Sequence, residues 1–290
     1  MGKHYEKKLN KKSKQKSDKK SINILYKLIL LILILVLIFS VYKIAIWLID
    51  NKKTANQLKF IKDQTTISEV SDNENTELIT PKEDLPKSNP YWDYIKMNLI
   101  DVDFKNLKQI NKYTTGWIQV LGTNINYPFV KGYNNEHFLY HDFENKENTA
   151  GWIFMDYRNN AESFDKNTIL YGHSRKDTTM FGSLKNILTN GWYDDKNNHI
   201  IKLSTEYENT LWQVFSVYHI PETSDYLTTT FNNNDEYQSF LNLIKDRTML
   251  KFDTTVTAED KILTLSTCYT TNNDKRLVLH AKLIKKEQNK

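Results

Sequence analysis

Residues 28–42 run fifteen positions without a charge, and the apolar character extends from Ile22 to Ile49, broken mainly by Lys27 and Lys43. No water-soluble surface tolerates such a stretch, so it commits the chain to a membrane or to a deep core. Fifteen helical residues at about 1.5 Å rise fall short of a hydrocarbon layer of roughly 30 Å. Lysines near the ends can snorkel to the headgroups, so a helix of about twenty residues from Ile24 onward suffices. A cleaved signal peptide is the alternative reading. No small-x-small site follows, because Ser40 leads into Val41, Tyr42, Lys43, Ile44, Ala45, Ile46 and Trp47, and a retained anchor over residues 22–49 is the expectation.

Charge agrees with the membrane. Residues 1–27 carry ten lysines against Glu6 and Asp18, a net +8 within a whole-chain charge of +5, so everything after them is at −3. A nucleic-acid-binding arm is usually backed by a basic domain, and no nucleic-acid partner is expected. The positive-inside rule keeps residues 1–21 cytoplasmic and places the chain beyond Ile49 outside the cell. A single cysteine, Cys268, excludes an internal disulfide framework and a thiolate zinc site. Eight glycines with no G-x-G-x-x-G or G-x-x-x-x-G-K-[ST] run exclude the standard phosphate cradles.

Residues 50–89 are polar and mixed in charge, closed by Pro81, Pro86 and the adjoining Pro90, and read as an extracellular stalk before a domain over 90–290. Helical patterns follow at Tyr91–Leu99 and Phe104–Ile110. Eight short β-type runs come next: Trp117–Leu121, Asn124–Val130, Gly151–Met155, Asn167–Gly172, His199–Ser204, Thr210–His219, Lys261–Thr267 and Arg276–Ile284. The spacing predicts a mostly β domain, a barrel or sandwich. Thr179–Leu188 reads as a weak helix. Asn234–Arg247 reads as a strong one, with Tyr237, Phe240, Leu241 and Ile244 on one face, Asp235 and Glu236 in its first turn and Lys245 and Arg247 in its last. It lies inside a long connection between the sixth and seventh runs, and long connections are often functional.

Cys268 ends the run Thr264-Leu265-Ser266-Thr267-Cys268. Alternation turns Leu263 and Leu265 inward and leaves Cys268 at the strand exit on the opposite face. A lone cysteine is commonly a small buried hydrophobe, but an unpaired thiol facing an oxidising exterior suggests use. Arg276 stands eight residues on, across a turn-type segment with Asn272, Asn273 and Asp274, so a hairpin sets it opposite Cys268. A guanidinium there can hold a developing oxyanion; equally, it can be an exposed strand-end arginine bound to nothing. Of seven histidines, His173 has the most suggestive setting, delivered to a strand end by Thr168-Ile169-Leu170-Tyr171-Gly172. Its imidazole can exchange protons with a thiol and with a leaving amine, although any one histidine is more often a surface residue. His137 and His141, four apart, lack the glutamate of H-E-x-x-H and an obvious third ligand, so no metal site and no cofactor is expected.

Together these residues resemble a sortase of class B. Thr264-Leu265-Ser266-Thr267-Cys268 is similar to that family's T-L-x-T-C strand, His173 follows Leu170-Tyr171-Gly172, and Arg276 completes the trio in the family's order. Gly116-Trp117-Ile118, Gly122-Thr123, Tyr127-Pro128, Asn134-Asn135 through Leu139-Tyr140, and Gly151-Trp152-Ile153-Phe154-Met155-Asp156 extend the likeness over most of residues 105–284, and Tyr269 departs from the acidic residue of some relatives. The resemblance implies an eight-stranded sortase β-barrel with N-terminal helices and a helix in the long connection. It implies a cysteine transpeptidase that cleaves a C-terminal sorting motif of secreted proteins at the Thr carbonyl, through a thioester, and transfers the product to a peptidoglycan-precursor amine in a Gram-positive cell wall. Catalysis would fall to Cys268, His173 and Arg276, and substrate contacts to Asn135, Leu139, Tyr171, Tyr226, Leu227 and Ser266. A monomer without calcium, anchored in the cell membrane with its catalytic domain facing the wall, is expected.

Two other classes compete. Papain-like enzymes present Cys before His, the reverse of this order, and L,D-transpeptidases carry a glycine before the Cys, where this chain has Thr267. A membrane-tethered binding domain with an incidental thiol is the second alternative.

Overall fold

The computed structural model describes residues 2–79, 81, 84–268 and 275–289, with the backbone alone for 2–22 and 268. The chain divides into two units, residues 1–52 and 53–290. A long helix, α1 (Gly2–Asp63), runs through the first unit and into the start of the second. The large apolar side chains between Ile24 and Ile49, Ile46 apart, are exposed along it, and the segment from Asn23 is long and apolar enough to cross a membrane.

The second unit continues with β1 (Ile67–Val70), β2 (Thr76–Leu78), α2 (Tyr91–Tyr94), β3 (Leu99–Val102) and α3 (Lys105–Ile110). Eight strands then build a barrel: β4 (Thr114–Val120), β5 (Asn126–Lys131), β6 (Phe154–Met155), β7 (Asn167–His173), β8 (Ile200–Thr205), β9 (Glu208–Pro221), β10 (Ile262–Cys268) and β11 (Lys275–Gln288). Their order is β10-β7-β6-β5-β4-β8-β9-β11, and β11 pairs back onto β10, which closes the ring. All eight runs expected from the sequence are these strands. Two further helices, α4 (Asn190–Tyr193) and α5 (Asn234–Asp246), lie in the connections.

Three expectations differ. The pattern from Tyr91 to Leu99 is helical only to Tyr94, because residues 99–102 pair with β1, Val70 against Leu99 and Ile67 against Val102. The weak helix at 179–188 is a 3₁₀ segment from Gly182 to Leu188. Residues 50–89, polar enough to read as a stalk, hold the end of α1 and two strands, and β2 adds to the barrel edge through Lys285↔Leu78. Both pairings are non-local, which a reading of local composition does not register.

Trp117, Phe129, Phe154, Leu170, Trp212 and Leu265 fill the interior and are fully buried. The outer face of β9, β10 and β11 is also covered: Tyr237, Phe240, Leu241 and Ile244 of α5 pack with Phe215, Tyr218, Ile262 and Val278. The helix starts cleanly, since the Asn233 side chain accepts from the Glu236 amide at 2.9 Å. A buried polar ladder crosses the strands that carry the site. Thr264 donates to Asn167 Oδ1 (2.6 Å), so His280 Nδ1–H donates to Thr264 Oγ1 (2.8 Å) and His280 Nε2 accepts from the Tyr218 hydroxyl (2.9 Å). A slip of one residue in any of these strands would leave several of these groups unsatisfied, so the ladder pins the register.

Candidate active site

Strand pairing brings the distant parts of the sequence together. β10 and β7 run parallel with Leu265 beside Leu170 and Cys268 beside His173. On its other side β10 pairs antiparallel with β11, Ile262↔Lys282 through Ser266↔Val278, and the Leu277 amide donates to Thr267 Oγ1 at 3.0 Å. Continued by two residues, that register sets Cys268 across from Arg276. Adjacent strands lie about 4.8 Å apart, so Cys268 and His173 stand side by side at one end of the barrel, and Arg276 lies on the strand that flanks Cys268 on its other side. Residues 269–274, Tyr269 included, lie outside the described residues.

His173 is half-buried, and its Nε2 lies 2.8 Å from the Leu139 carbonyl. A carbonyl only accepts, so Nε2 carries a proton and donates it to this bond. The carbonyl is itself held: Leu139 closes a 3₁₀ turn from His137, and Trp152 N donates to Phe138 O at 2.8 Å. Gly151, at φ 56°, allows this approach; a Cβ there would lie 2.6 Å from Leu139 O and 3.0 Å from His173 Cδ2. Before His173, Gly172 leaves room for the Phe181 ring, which a Cβ would meet at 2.8 Å.

The Arg276 side chain is largely buried, 17% exposed, and donates from Nη2 to Glu222 Oε1 at 2.7 Å. Glu222 follows the end of β9, whose Ile220 pairs with Arg276. Its carboxylate is 70% exposed, so it can be displaced from the guanidinium at little cost.

The residues expected to touch substrate fall into two bonded groups. Asn135 Nδ2 and the Tyr171 hydroxyl both donate to Asp156 Oδ2, at 2.9 and 2.8 Å. Asp156 is fully buried and is also held by Arg158, Nε to Oδ1 at 2.9 Å and Nη2 to Oδ2 at 2.7 Å. Burial pushes this carboxyl up, but the bonds from Arg158, Tyr171 and Asn135 outweigh it and hold it below the usual aspartate value. Arg158 Nη2 also donates to the Leu227 carbonyl at 2.9 Å. In the second group, Tyr226 and Ser266 are buried and share a hydroxyl–hydroxyl bond of 2.9 Å. Leu139 and Leu227 are half-buried at the edge of the core.

Asp156, Arg158, Gly151 and Glu222 were not singled out from sequence. Asp156 closes the run Gly151-Trp152-Ile153-Phe154-Met155-Asp156, and a carboxylate directly after a fully apolar strand was the one available signal. Among the described residues, no group of three or more His, Cys, Asp or Glu could hold a metal ion. The rings of His137 and His141 stack at 4.0 Å, and their nitrogens bond to Asn145 Oδ1 and the His137 carbonyl.

Comparison with known proteins matches the sortase domain over residues 118–284. Sortase B of Staphylococcus aureus is 40% identical over 184 residues, covering 63% of this chain and 75% of that one. Sortase B of Listeria monocytogenes is 30% identical over 255 residues, covering 86% and 92%. A solved Staphylococcus aureus sortase B–substrate complex superposes with a TM-score of 0.59 at 40% identity, over 63% of this chain and 84% of that one.

Proposed function

Since the chain belongs to the class B sortases, cysteine transpeptidases that act on sorting motifs, we propose that Cys268, His173 and Arg276 perform its chemistry at the strand ends described above. The observation that carries this reading is the pairing Cys268↔His173, supported by the β10–β11 register, which leads on toward Arg276. The Cys268 thiolate attacks the Thr carbonyl of a C-terminal sorting motif. Arg276, released from Glu222, steadies the oxyanion with its planar, permanently charged fork. His173, as imidazolium, gives its Nδ1 proton to the departing amine as the C–N bond breaks, which leaves a thioester. The amino group of a peptidoglycan precursor then attacks the thioester carbon, its proton passes to His173, and Cys268 leaves as thiolate. Water competes poorly if the bound peptide shields the thioester.

Asn135, Leu139, Tyr171, Tyr226, Leu227 and Ser266 form the walls of the peptide groove in this reading. Because Asn135 spends one N–H on Asp156 and its carbonyl accepts from the Tyr157 amide at 3.0 Å, its second N–H is the donor it offers a peptide. The apolar helix anchors the protein in the cell membrane as a monomer, with residues 1–21 cytoplasmic and the catalytic unit facing the wall.

The test is cleavage of a panel of sorting peptides by the full chain in detergent, with the broken bond identified by mass. Cys268→Ala should abolish cleavage while the fold, followed by circular dichroism, is kept. Retention of a tenth of wild-type turnover by Cys268→Ala would refute the assignment.

A further inference from the structure

Asp156 is the one fully buried carboxylate that reaches Asn135, Tyr171 and, through Arg158, the 222–261 connection, and the chemistry above leaves it without a task. We infer that Asp156 and Arg158 are positioning residues that set the width of the sorting-peptide groove, with the carboxylate as the node of one wall and the guanidinium as the strap that ties the other wall to it. The inference rests on the groove assignment of the preceding subsection.

The geometry suits that division. Asn135 lies in the loop after β5, Tyr171 in β7 two residues before His173, and Leu227 in the connection between β9 and β10. Nothing in the strand pairing joins the first two to the third at this level. The join is made by a charge-assisted bidentate pair, Arg158 on Asp156, with one guanidinium nitrogen shared to Leu227 O. Asn167, which donates to the carbonyls of Tyr226 and Thr228 at 3.4 and 2.9 Å, holds the same stretch from the other end of β7. Leu227 is therefore flanked by fixed carbonyls, and its own is oriented by Arg158. A carboxylate is required at 156 because its two oxygens accept from Arg158, Tyr171 and Asn135 together; an amide presents one acceptor oxygen and its own donors to the same ring of donors.

The proposal is tested with Arg158→Gln, Asp156→Asn and the double variant in the full chain. Arg158 is 40% exposed at its side chain, so its replacement leaves the core intact even if Asp156→Asn folds poorly. Loss of a charge-assisted bond predicts that Arg158→Gln raises KM for a sorting peptide about tenfold, with kcat within about twofold. The Leu227 amide, bonded to Ser224 O at 3.0 Å, should exchange with solvent several-fold faster. The double variant should be no worse than the poorer single one, because node and strap act as one unit. An unchanged KM, a fall in kcat alone, or additive losses would overturn the inference. If the wild-type chain cleaves no sorting peptide, the functional reading fails by itself, while unaltered Leu227 exchange in Arg158→Gln would separately refute the strap.

Discussion

Replacement of Gly151 by alanine tests how His173 is held. The added Cβ would stand 2.6 Å from Leu139 O, 2.7 Å from Phe138 O and 3.0 Å from His173 Cδ2, in a backbone conformation with φ 56°. An ordinary carbon–oxygen approach is about 3.3 Å, so the Leu139 carbonyl must withdraw by roughly 0.7 Å. That carbonyl is the 2.8 Å acceptor of His173 Nε2–H, and the displacement carries the bond toward about 3.5 Å, the limit at which it ceases to orient the ring. A proton shuttle misplaced on the ångström scale costs about a hundredfold in kcat/KM, near 2.7 kcal/mol in transition-state stabilisation. The left-handed backbone adds about 1–2 kcal/mol of destabilisation for a residue with a Cβ. The two effects are separable by normalising peptide cleavage to the concentration of titratable Cys268 thiol at a temperature where circular dichroism shows the variant folded. A normalised kcat/KM within twofold of wild type would refute the claim that the 138–139 carbonyls set the imidazole.

Arg276→Lys should lower kcat by about a hundredfold, since an ammonium keeps the charge but not the two-pronged donor; near-normal turnover would mean that charge alone suffices. Burial pushes His280 down to about 3 and His199 down to about 4 from 6.5, so the unfolded chain binds more protons between those values and 6.5. Stability from these two neutral rings is complete above pH 6.5 and is lost as pH falls, about 2 kcal/mol for each between pH 7 and pH 5. Urea midpoints at those pH values should show it, and His280→Gln should flatten the slope by roughly half; an unchanged slope would mean that His280 is charged in the fold.

The eight barrel strands were legible because each is a short run of β-branched and aromatic residues cut by turn residues, a property that lives in neighbouring positions. The helix at Asn234–Asp246 was legible for the same reason, its apolar face and its terminal charges being local. The run into Cys268, the run into His173 and the eight-residue interval to Arg276 are local features too, and the pairing of β10 with β7 sets the first two side by side.

Local pattern alone marks out the segments, the apolar helix and the candidates for nucleophile, proton carrier and cation. Which segments lie beside which follows from long-range pairing that local pattern does not carry. The parallel pairing of β10 with β7 joins residues almost a hundred positions apart, and the pairings of β1 with β3 and β2 with β11 give order to a stretch that composition presents as polar spacer. The contacts of Asp156, Gly151 and Glu222 arise the same way. A glycine and a surface glutamate carry no local signal of function, and the carboxylate only its place after an apolar run; their contacts appear when the fold sets donors around Asp156, the Leu139 carbonyl against Gly151 and the Arg276 guanidinium against Glu222, distances that linear spacing does not encode.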